Sequence, residues 1–331
     1  MKNHDAALAH PAMRRALLLG PLALALVPAA ARATGVAAGT LIQGSATATY
    51  TSGAATGTVE SNTVTVKVDE LLDVAVTGLA ASPISTGSAV AVLPYSVTNT
   101  GNGDENFVLT ANAGLAGNPF DPVVQSIVID SNGNGTYDAG TDTVVGADGK
   151  SGVIAPDATL KVFVLVKLPA NATDAATAQV RLTAEAVTGT GAAGTTFAGA
   201  GTGGSDAVTG LSGGGAHASD SLTASLASVA LVKSAAIADP FGGTASVPGA
   251  FVTYSIVANV TGTGIAEALH VTDAIPTGTT YKASSMKLDG ATLSDASDAD
   301  AGTGSASGID VALGNVSGGA THTVTFSVKI N

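Results

Sequence analysis

Apolar and polar side chains alternate with a period of two in many short segments, a pattern that predicts β-strands. In residues 61–69, for example, Val64, Val66 and Val68 fall on one face of a strand, with Thr65 and Lys67 on the other. Clusters of glycine, asparagine, aspartate and proline separate the segments. The same alternation marks residues 45–53, 89–101, 126–130, 159–169, 179–187, 228–235, 251–258, 269–276 and 321–330. We therefore predict an all-β protein of antiparallel β-sandwiches.

An internal repeat predicts two such sandwiches in tandem. Residues 158–169 (ATLKVFVLVKLP) align without gaps on residues 320–331 (ATHTVTFSVKIN), and residues 89–101 align on 250–262, with Tyr95 opposite Tyr254. We place the first sandwich at residues 34–188 and the second at 229–331. The glycine-rich stretch 189–228 is interpreted as a linker or as edge strands, since Phe197 favours edge pairing. Val164 and Val324 are expected to point into the two cores.

The N-terminal region has the pattern of a secretory signal peptide, which we place at residues 1–33. A basic pair, Arg14 and Arg15, precedes an apolar run of 16 residues, and residues 31–33 (ARA) give the small-x-small pattern of a cleavage site. Cleavage is expected before Thr34. A membrane span needs about 20 apolar residues, and this run is shorter and broken by glycine and proline. An exported protein at the cell surface or in the medium is predicted, with the periplasm as an alternative.

Composition and charge narrow the classes of partner. The chain has no cysteine, which excludes disulfides, thiol catalysis and thiolate metal sites. Its formal net charge is −12, and loss of residues 1–33 makes it more negative, because they hold four basic residues and one acidic one. Such a chain repels nucleic acid and anionic membranes and attracts cations.

The segment 130–142 (DSNGNGTYDAGTD) resembles the first nine positions of a calcium-binding loop, in which alternate residues direct oxygen atoms at one ion. Thr141 stands where such a loop has a bidentate glutamate, and Asp142 is a substitute for it. A plain hairpin turn rich in asparagine and glycine explains the same composition. If calcium binds, its expected role is to stabilise the loop. The candidate ligands are Asp130, Asn132, Asn134, Thr136, Asp138 and Asp142.

No catalytic centre is recognisable in the sequence, and we predict that the protein is not an enzyme. The histidines after the signal peptide share no spacing with each other or with the acidic residues, and no strand-to-helix turn raises a serine nucleophile. A second acidic stretch is best explained as solvated loop residues. The residues considered are His217, His270 and His322, with Asp289, Asp295, Asp298 and Asp300.

The second half is similar to a conserved repeat of bacterial and archaeal surface proteins, the domain of unknown function eleven. The matching motifs are a Pro-Gly start, a strand with a tyrosine, an Asp-x-x-Pro strand end and a glycine-rich closing turn. They fall at Pro248, Gly249, Tyr254, Asp273, Pro276, Gly314, Gly318 and Gly319. Asn259-Val260-Thr261-Gly262 departs from the usual Asn-Thr-Gly. The first half matches more loosely, through residues 99–103 (NTGNG). The resemblance implies an Ig-like fold in a structural or adhesive module without catalytic residues.

The leading functional hypothesis is a secreted or cell-surface structural or adhesive protein whose partners are other surface proteins or itself. One alternative is a subunit of an extracellular filament or matrix that exchanges strands through residues 38–68; the simpler expectation is that those strands pair within their own domain. A carbohydrate- or protein-binding module is the other alternative. The absence of tryptophan weighs against a sugar platform.

Overall fold

The computed structural model describes residues 35–331, so the predicted signal peptide and its cleavage position lie outside the described residues. Within this range the secondary structure is β-strand, apart from a single 3₁₀ turn at Thr202–Gly204. The prediction of an all-β sandwich protein is confirmed. Residues Thr34–Asn331 group as one compact unit, and the division into two tandem domains stays a prediction.

The first four strands, residues 41–67, form two successive two-stranded ladders, which we together call the N-terminal hairpin. They are β1 (Leu41–Gly44), β2 (Thr47–Ser52), β3 (Ala55–Glu60) and β4 (Val64–Lys67). Strand β1 pairs with β4 and β2 pairs with β3, and none of the four pairs with any other strand of residues 35–331. These strands therefore pair with each other, as the simpler expectation had it, but outside the sandwich sheets.

Thirteen strands follow in the first sandwich. They are β5 (Glu70–Leu72), β6 (Val74–Gly78), β7 (Ile84–Thr86), β8 (Ala91–Asn99), β9 (Glu105–Asn112), β10 (Val123–Ile129), β11 (Thr143–Val144), β12 (Lys150–Ile154), β13 (Thr159–Lys167), β14 (Thr177–Ala186), β15 (Thr196–Phe197), β16 (Ala207–Thr209) and β17 (Gly215–Ala224). One five-stranded sheet has the order β11-β10-β13-β8-β6 and the other β12-β9-β14-β17-β7. A small third sheet has the order β15-β16-β5.

The core of this sandwich forms where inward positions of the two larger sheets meet. Strand β8 alternates strictly between buried and half-buried residues, so Leu93, Tyr95 and Val97 all point inward. Val164 of β13 is fully buried in the same core, as predicted. The Tyr95 hydroxyl donates to the Val180 carbonyl at 2.7 Å, which satisfies a polar group inside an aliphatic core.

Nine strands form the second sandwich. They are β18 (Ala227–Ala238), β19 (Phe251–Gly262), β20 (Ile265–Ala274), β21 (Thr279–Tyr281), β22 (Lys287–Leu288), β23 (Ala291–Thr292), β24 (Gly302–Gly304), β25 (Gly308–Ser317) and β26 (Thr321–Ile330). One sheet has the order β18-β19-β26-β22-β23, with β21 also paired to β26, and the other has the order β20-β25-β24. Val324 is fully buried with Met286, Val311 and Phe326, as predicted.

The stretch 189–228 is not a linker where it forms β17. This strand lies between β14 and β7 in a five-stranded sheet and buries Leu222 and Ala224, so it is an interior strand of the first sandwich. Two pairings also depart from the expected antiparallel arrangement: β16 runs parallel to β5, and β17 runs parallel to β7. Both bring a late strand beside an early one, which closes the sandwich over a large sequence separation.

The two sandwiches meet at loops held by one carboxylate. Asp174 accepts the Leu226 N–H at 2.8 Å and the Thr263 N–H at 2.9 Å, and the Thr263 hydroxyl donates to it at 2.6 Å. Hydrogen bonds from Thr263 and Leu226 hold the pKa of Asp174 below its usual value. Gly262 lies under the Leu226 carbonyl with φ +99°, so a side chain at this position would collide with backbone.

Candidate functional site

The predicted calcium loop connects β10 to β11 and is closed by its own hydrogen bonds. Asp130 is 7% exposed, and its two carboxylate oxygens accept the N–H groups of Gly133 and Gly135, each at 2.8 Å. Both glycines have positive φ, of +71° and +80°, which lets the chain wrap around the carboxylate. Asp130 therefore has a clear role in shaping the loop whether or not an ion is bound.

Three candidate ligands converge on one point in this loop. The side-chain nitrogens of Asn132 and Asn134 lie 2.9 Å and 2.6 Å from the same oxygen, Oδ2 of Asp138. Their amide oxygens accept the N–H groups of Asn134 and Thr136, two residues further along. The hydrogen bonds from Asn132 and Asn134 lower the pKa of Asp138 because they stabilise its ionised form.

The other two candidate ligands lie at the edge of this group. Asp142 accepts the Asp138 N–H at 2.8 Å and the Ser131 N–H at 3.2 Å, and Thr136 contributes its N–H to Asn134. The Lys161 ammonium lies 2.9 Å from where a Cβ on Gly135 would be, so a cation of the chain itself lies beside the loop. Within residues 35–331 no group of three or more histidine or acidic side chains is placed to hold a metal ion. Calcium binding stays a prediction.

Residues of the second acidic stretch accept hydrogen bonds from loop backbone and from a nearby hydroxyl, in line with their interpretation as loop residues. Asp295 accepts from the Tyr281 hydroxyl at 2.6 Å and from the Ser284 N–H, and Asp300 accepts from the Ser294 N–H at 2.6 Å. Burial, with a contribution from Asp295, raises the pKa of Tyr281 to about 12. The carboxylates therefore hold loop backbone and neighbouring hydroxyls in place.

Two of the histidines have aspartate partners that the sequence spacing did not indicate. The Nδ1 of His270 lies 2.9 Å from Asp310, and the Nδ1 of His322 lies 2.7 Å from Asp289. Each pair joins neighbouring strands or a turn across at least 33 residues of sequence, so only the strand pairing brings the partners together. His217 is exposed on β17.

A cleft of about 650 Å³ opens at the junction of the two sandwiches. Its walls come from Leu168, Leu226, Ile265 and several serine, alanine and glycine residues, and Glu267 is its single ionisable lining residue.

The N-terminal hairpin presents two chemically different faces, both open to solvent. The cross-strand registers place Ile42 opposite Val66 and Ala48 opposite Val59, with the Tyr50 ring over Gly57. On the other face of β2 and β3 the paired residues are polar: Thr47 with Glu60, Thr49 with Thr58, and Thr51 with Thr56. Within β1, β2 and β4 every residue is exposed. The predicted alternation is therefore present, but no sheet of the described part of the chain covers the apolar face.

The base of the hairpin is held firmly by the first sandwich. Asn102, in the NTGNG turn, donates to the carbonyls of Val36 and Asp69 at 3.1 and 3.0 Å and accepts the Leu71 N–H at 2.6 Å. The Lys67 ammonium donates to the Gly203 carbonyl at 3.0 Å. Asn102 thus fixes the point at which the hairpin leaves the first sandwich.

Strand β18 is a long edge strand whose side chains are largely uncovered. It pairs with β19 on one side only, and all of its residues but Ala227 and Ile237 are exposed, with Val232 at 64%. Its single charged residue is Lys233, whose ammonium forms an ion pair with Asp273 and lies 4.3 Å from the centre of the Tyr254 ring. Lys233 is therefore drawn over the face of its own sheet.

Comparisons with known proteins give no family for the chain. No protein-family model and no curated protein matches it. Among solved structures, the C-terminal domain of the Streptococcus agalactiae AgI/II polypeptide BspA is similar at 12% identity and a TM-score of 0.30, covering 79% of this chain and 91% of its own. A chain described as BspA_C_WT is similar at 12% identity and a TM-score of 0.30, and the match covers 77% of this chain and 90% of that one. A protein of Corynebacterium diphtheriae described as membrane-anchored is similar at 11% identity and a TM-score of 0.21, and the match covers 81% of this chain and 53% of that one.

Nothing helical among residues 35–331 has the length and apolar character that a membrane-spanning helix needs.

Proposed function

We propose that this chain is a structural or adhesive protein of the cell exterior without catalytic activity. The observation that carries the proposal is the N-terminal hairpin: its two faces are exposed to solvent, while its base is anchored by Asn102 and by the side chain of Lys67. An element held at one end and exposed along its length offers a contact surface of both apolar and hydroxyl groups. Exposed apolar surface of this kind marks interaction sites in soluble proteins.

The use of the polar residues supports the same proposal. Asp130, Asp174 and Asp300 each accept backbone N–H groups, and hydrogen bonds to Asp239 from Ala245 and Gly243 lower the pKa of that residue. These carboxylates stiffen loops, which suits a protein that keeps its shape outside the cell without disulfides. The predicted signal peptide and the net charge of −12 suit export and solubility there.

The test of the proposal measures whether the chain is outside the cell and how deletion of its gene changes cell attachment. Intact producing cells are treated with a membrane-impermeant amine reagent, and the extracellular chain is sequenced from its N-terminus. We expect labelling of the chain but not of a cytoplasmic marker, and a first residue of Thr34. Deletion of the gene is expected to reduce attachment of the cells to each other or to a surface, and re-expression is expected to restore it.

Two outcomes would contradict the proposal. Labelling that requires cell lysis would exclude an exterior location. Unchanged attachment and unchanged extracellular material after deletion would exclude a structural or adhesive role even for an exported chain.

A further inference from the structure

Among the open strand edges of residues 35–331, two surfaces resemble each other in composition. The N-terminal hairpin leaves both of its outer edges unpaired, and β18 leaves one edge of a sheet unpaired. An open strand edge carries unsatisfied backbone N–H and C=O groups and can pair with another chain. Neither surface is engaged by the other within the described residues, since the hairpin strands pair among themselves and β18 pairs with β19.

The edge of β18 lacks the usual protection against pairing. Natural edge strands are short, bulged or carry outward charges, especially lysine. Strand β18 has 12 residues in an unbroken register with β19, and its one lysine is held by Asp273 and the Tyr254 ring. Its exposed residues include Val229, Leu231 and Val232. A strand docked at this edge would cover these side chains as well as the backbone.

Both surfaces carry few charges. With a net charge of −12, two copies of the chain repel each other over most of their surfaces. The hairpin carries one acidic and one basic residue, Glu60 and Lys67, and β18 carries Lys233 alone. A second copy can therefore approach with these two surfaces facing each other without bringing two acidic side chains together, because β18 carries none. The lengths also agree, because the first arm of the hairpin, residues 41–52, has as many residues as β18.

From these observations we propose that the N-terminal hairpin of one copy adds to the edge of β18 in a second copy. This deepens the proposed function, on which it rests, by naming the partner as the chain itself. The donor and acceptor surfaces are different parts of the chain, so the contact is head-to-tail. A head-to-tail contact that does not close generates an open chain of subunits. The backbone supplies the pairing, and the apolar residues of both surfaces, including Val59 and Val232, leave water.

The test uses one blocking substitution on each surface. Val59→Asp adds a charge to the apolar face of the hairpin, and Val232→Asp adds a charge to the edge strand. We expect the wild-type protein to show a weight-average mass that rises with concentration in sedimentation velocity, and each variant alone to stay at the mass of one subunit. A 1:1 mixture of the two variants restores one functional hairpin and one functional edge, so it is expected to give twice the subunit mass and no larger species.

Matched controls separate the contact from a general effect of charge. Thr58→Asp lies next to Val59 on the threonine face of the same hairpin. Val153→Asp replaces a valine of similar exposure, 70% against 64%, on another edge strand, β12. Both controls are expected to assemble like the wild type. Hydrogen exchange of residues 41–67 and 227–238 checks that each variant keeps its strands, and Val66→Asp replaces Val59→Asp if the hairpin itself unfolds.

Several results would overturn the inference. If Val232→Asp alone still assembles, the hairpins pair with each other; if Val59→Asp alone still assembles, the edges do. A wild-type protein of constant mass at all concentrations would remove self-assembly altogether. If the protein does not self-assemble but deletion of its gene still reduces attachment, the proposed function stands and its partner is a different molecule. Failure of the inference can therefore be told apart from failure of the proposed function.

Discussion

Asp138 is the residue on which the calcium prediction depends most directly. The side-chain amides of Asn132 and Asn134 both donate to its Oδ2. Calcium takes only oxygen ligands, so binding would require the amides of Asn132 and Asn134 to rotate and present their oxygens. The loop supplies carboxylates at Asp130 and Asp142 on either side. Binding and the plain hairpin turn therefore differ in how two amide groups are oriented.

We expect calcium to raise the melting temperature of the wild-type protein and to leave Asp138→Asn unchanged, because that variant keeps the shape of the side chain and loses its charge. At a free calcium concentration of about 100 times Kd the gain in stability is about 2.7 kcal/mol. Differential scanning calorimetry with calcium, with magnesium and with a chelator measures it. Asp298→Asn, in the second acidic stretch, is the control and should respond like the wild type. Equal melting of the wild type with calcium and with chelator would leave the hairpin turn as the explanation.

Several partners at the residue scale could not be read from the sequence. Glu70 is buried and accepts from the N–H and the hydroxyl of Thr202, which lies 132 residues away. The Tyr95 hydroxyl accepts the Asp220 N–H at 3.1 Å over a comparable distance along the chain. Burial raises the pKa of both Tyr95 and Asp220. Such pairs depend on which strands become neighbours, and local sequence patterns do not contain that information.

At the scale of the element, alternation predicted the strands well but not their surroundings. Val64 and Val66 alternate with polar residues as regularly as Val162 and Val164 do, yet the first pair is exposed and the second fully buried. The period reports the backbone conformation and the shared face, whereas burial depends on a second sheet packing against that face. The repeat was more informative: its two blocks form adjacent strands in each half, β8 with β13 and β19 with β26.

For β17 the sequence underestimated burial instead of overestimating it. Glycine and small residues in 189–228 favoured a linker or edge strands, but Gly215–Ala224 pairs along its length with β14 and its end pairs with β7. Neighbouring strands on both sides supply hydrogen bonds and burial to a segment of weak intrinsic preference. Composition alone therefore underestimates strands that lie between two others.

Strand β26 gives a direct test of which core each half depends on. Val324→Asp places a carboxylate in the second core, where Val324 is fully buried with Phe326 and Met286. Loss of the buried valine side chain lowers the free energy of unfolding by about 1.5–3 kcal/mol. The buried carboxylate lowers it further. We expect loss of hydrogen-exchange protection in residues 227–330. Thr325→Asp, the next residue on the opposite face, should melt like the wild type. Unchanged melting of Val324→Asp would show that the strand register is wrong.

The same variant bears on the organisation of the whole molecule. The two sandwiches have separate cores, and Asp174 joins their loops through Leu226 and Thr263. If the halves are independent domains, residues 70–224 keep their protection in Val324→Asp. If they unfold together, protection is lost throughout, and the junction transmits the damage.

The acidity of the whole molecule predicts how its stability depends on pH. Asp138, Asp174, Asp239, Asp289 and Asp300 have pKa values below the usual 3.8 because each accepts hydrogen bonds when ionised. Their contribution to stability is present above pH 3.8 and is lost as the pH falls through their folded-state values. Asp220 has the opposite sign, because burial raises its pKa and its ionised form destabilises the folded state.

Long-range repulsion acts in the same direction as Asp220. The net charge of −12 falls towards zero as the pH approaches the isoelectric point of about 4.5, so self-repulsion in the folded state declines. We therefore expect the melting temperature at low salt to rise modestly from pH 7 to about 4.5 and to drop below 3.8. Salt screens distant charges but not hydrogen-bonded pairs. At 0.5 M NaCl the rise in melting temperature towards pH 4.5 should flatten, while the drop below pH 3.8 remains. A rise that does not change with salt would have to come from Asp220 and other local groups, not from the net charge of the whole molecule.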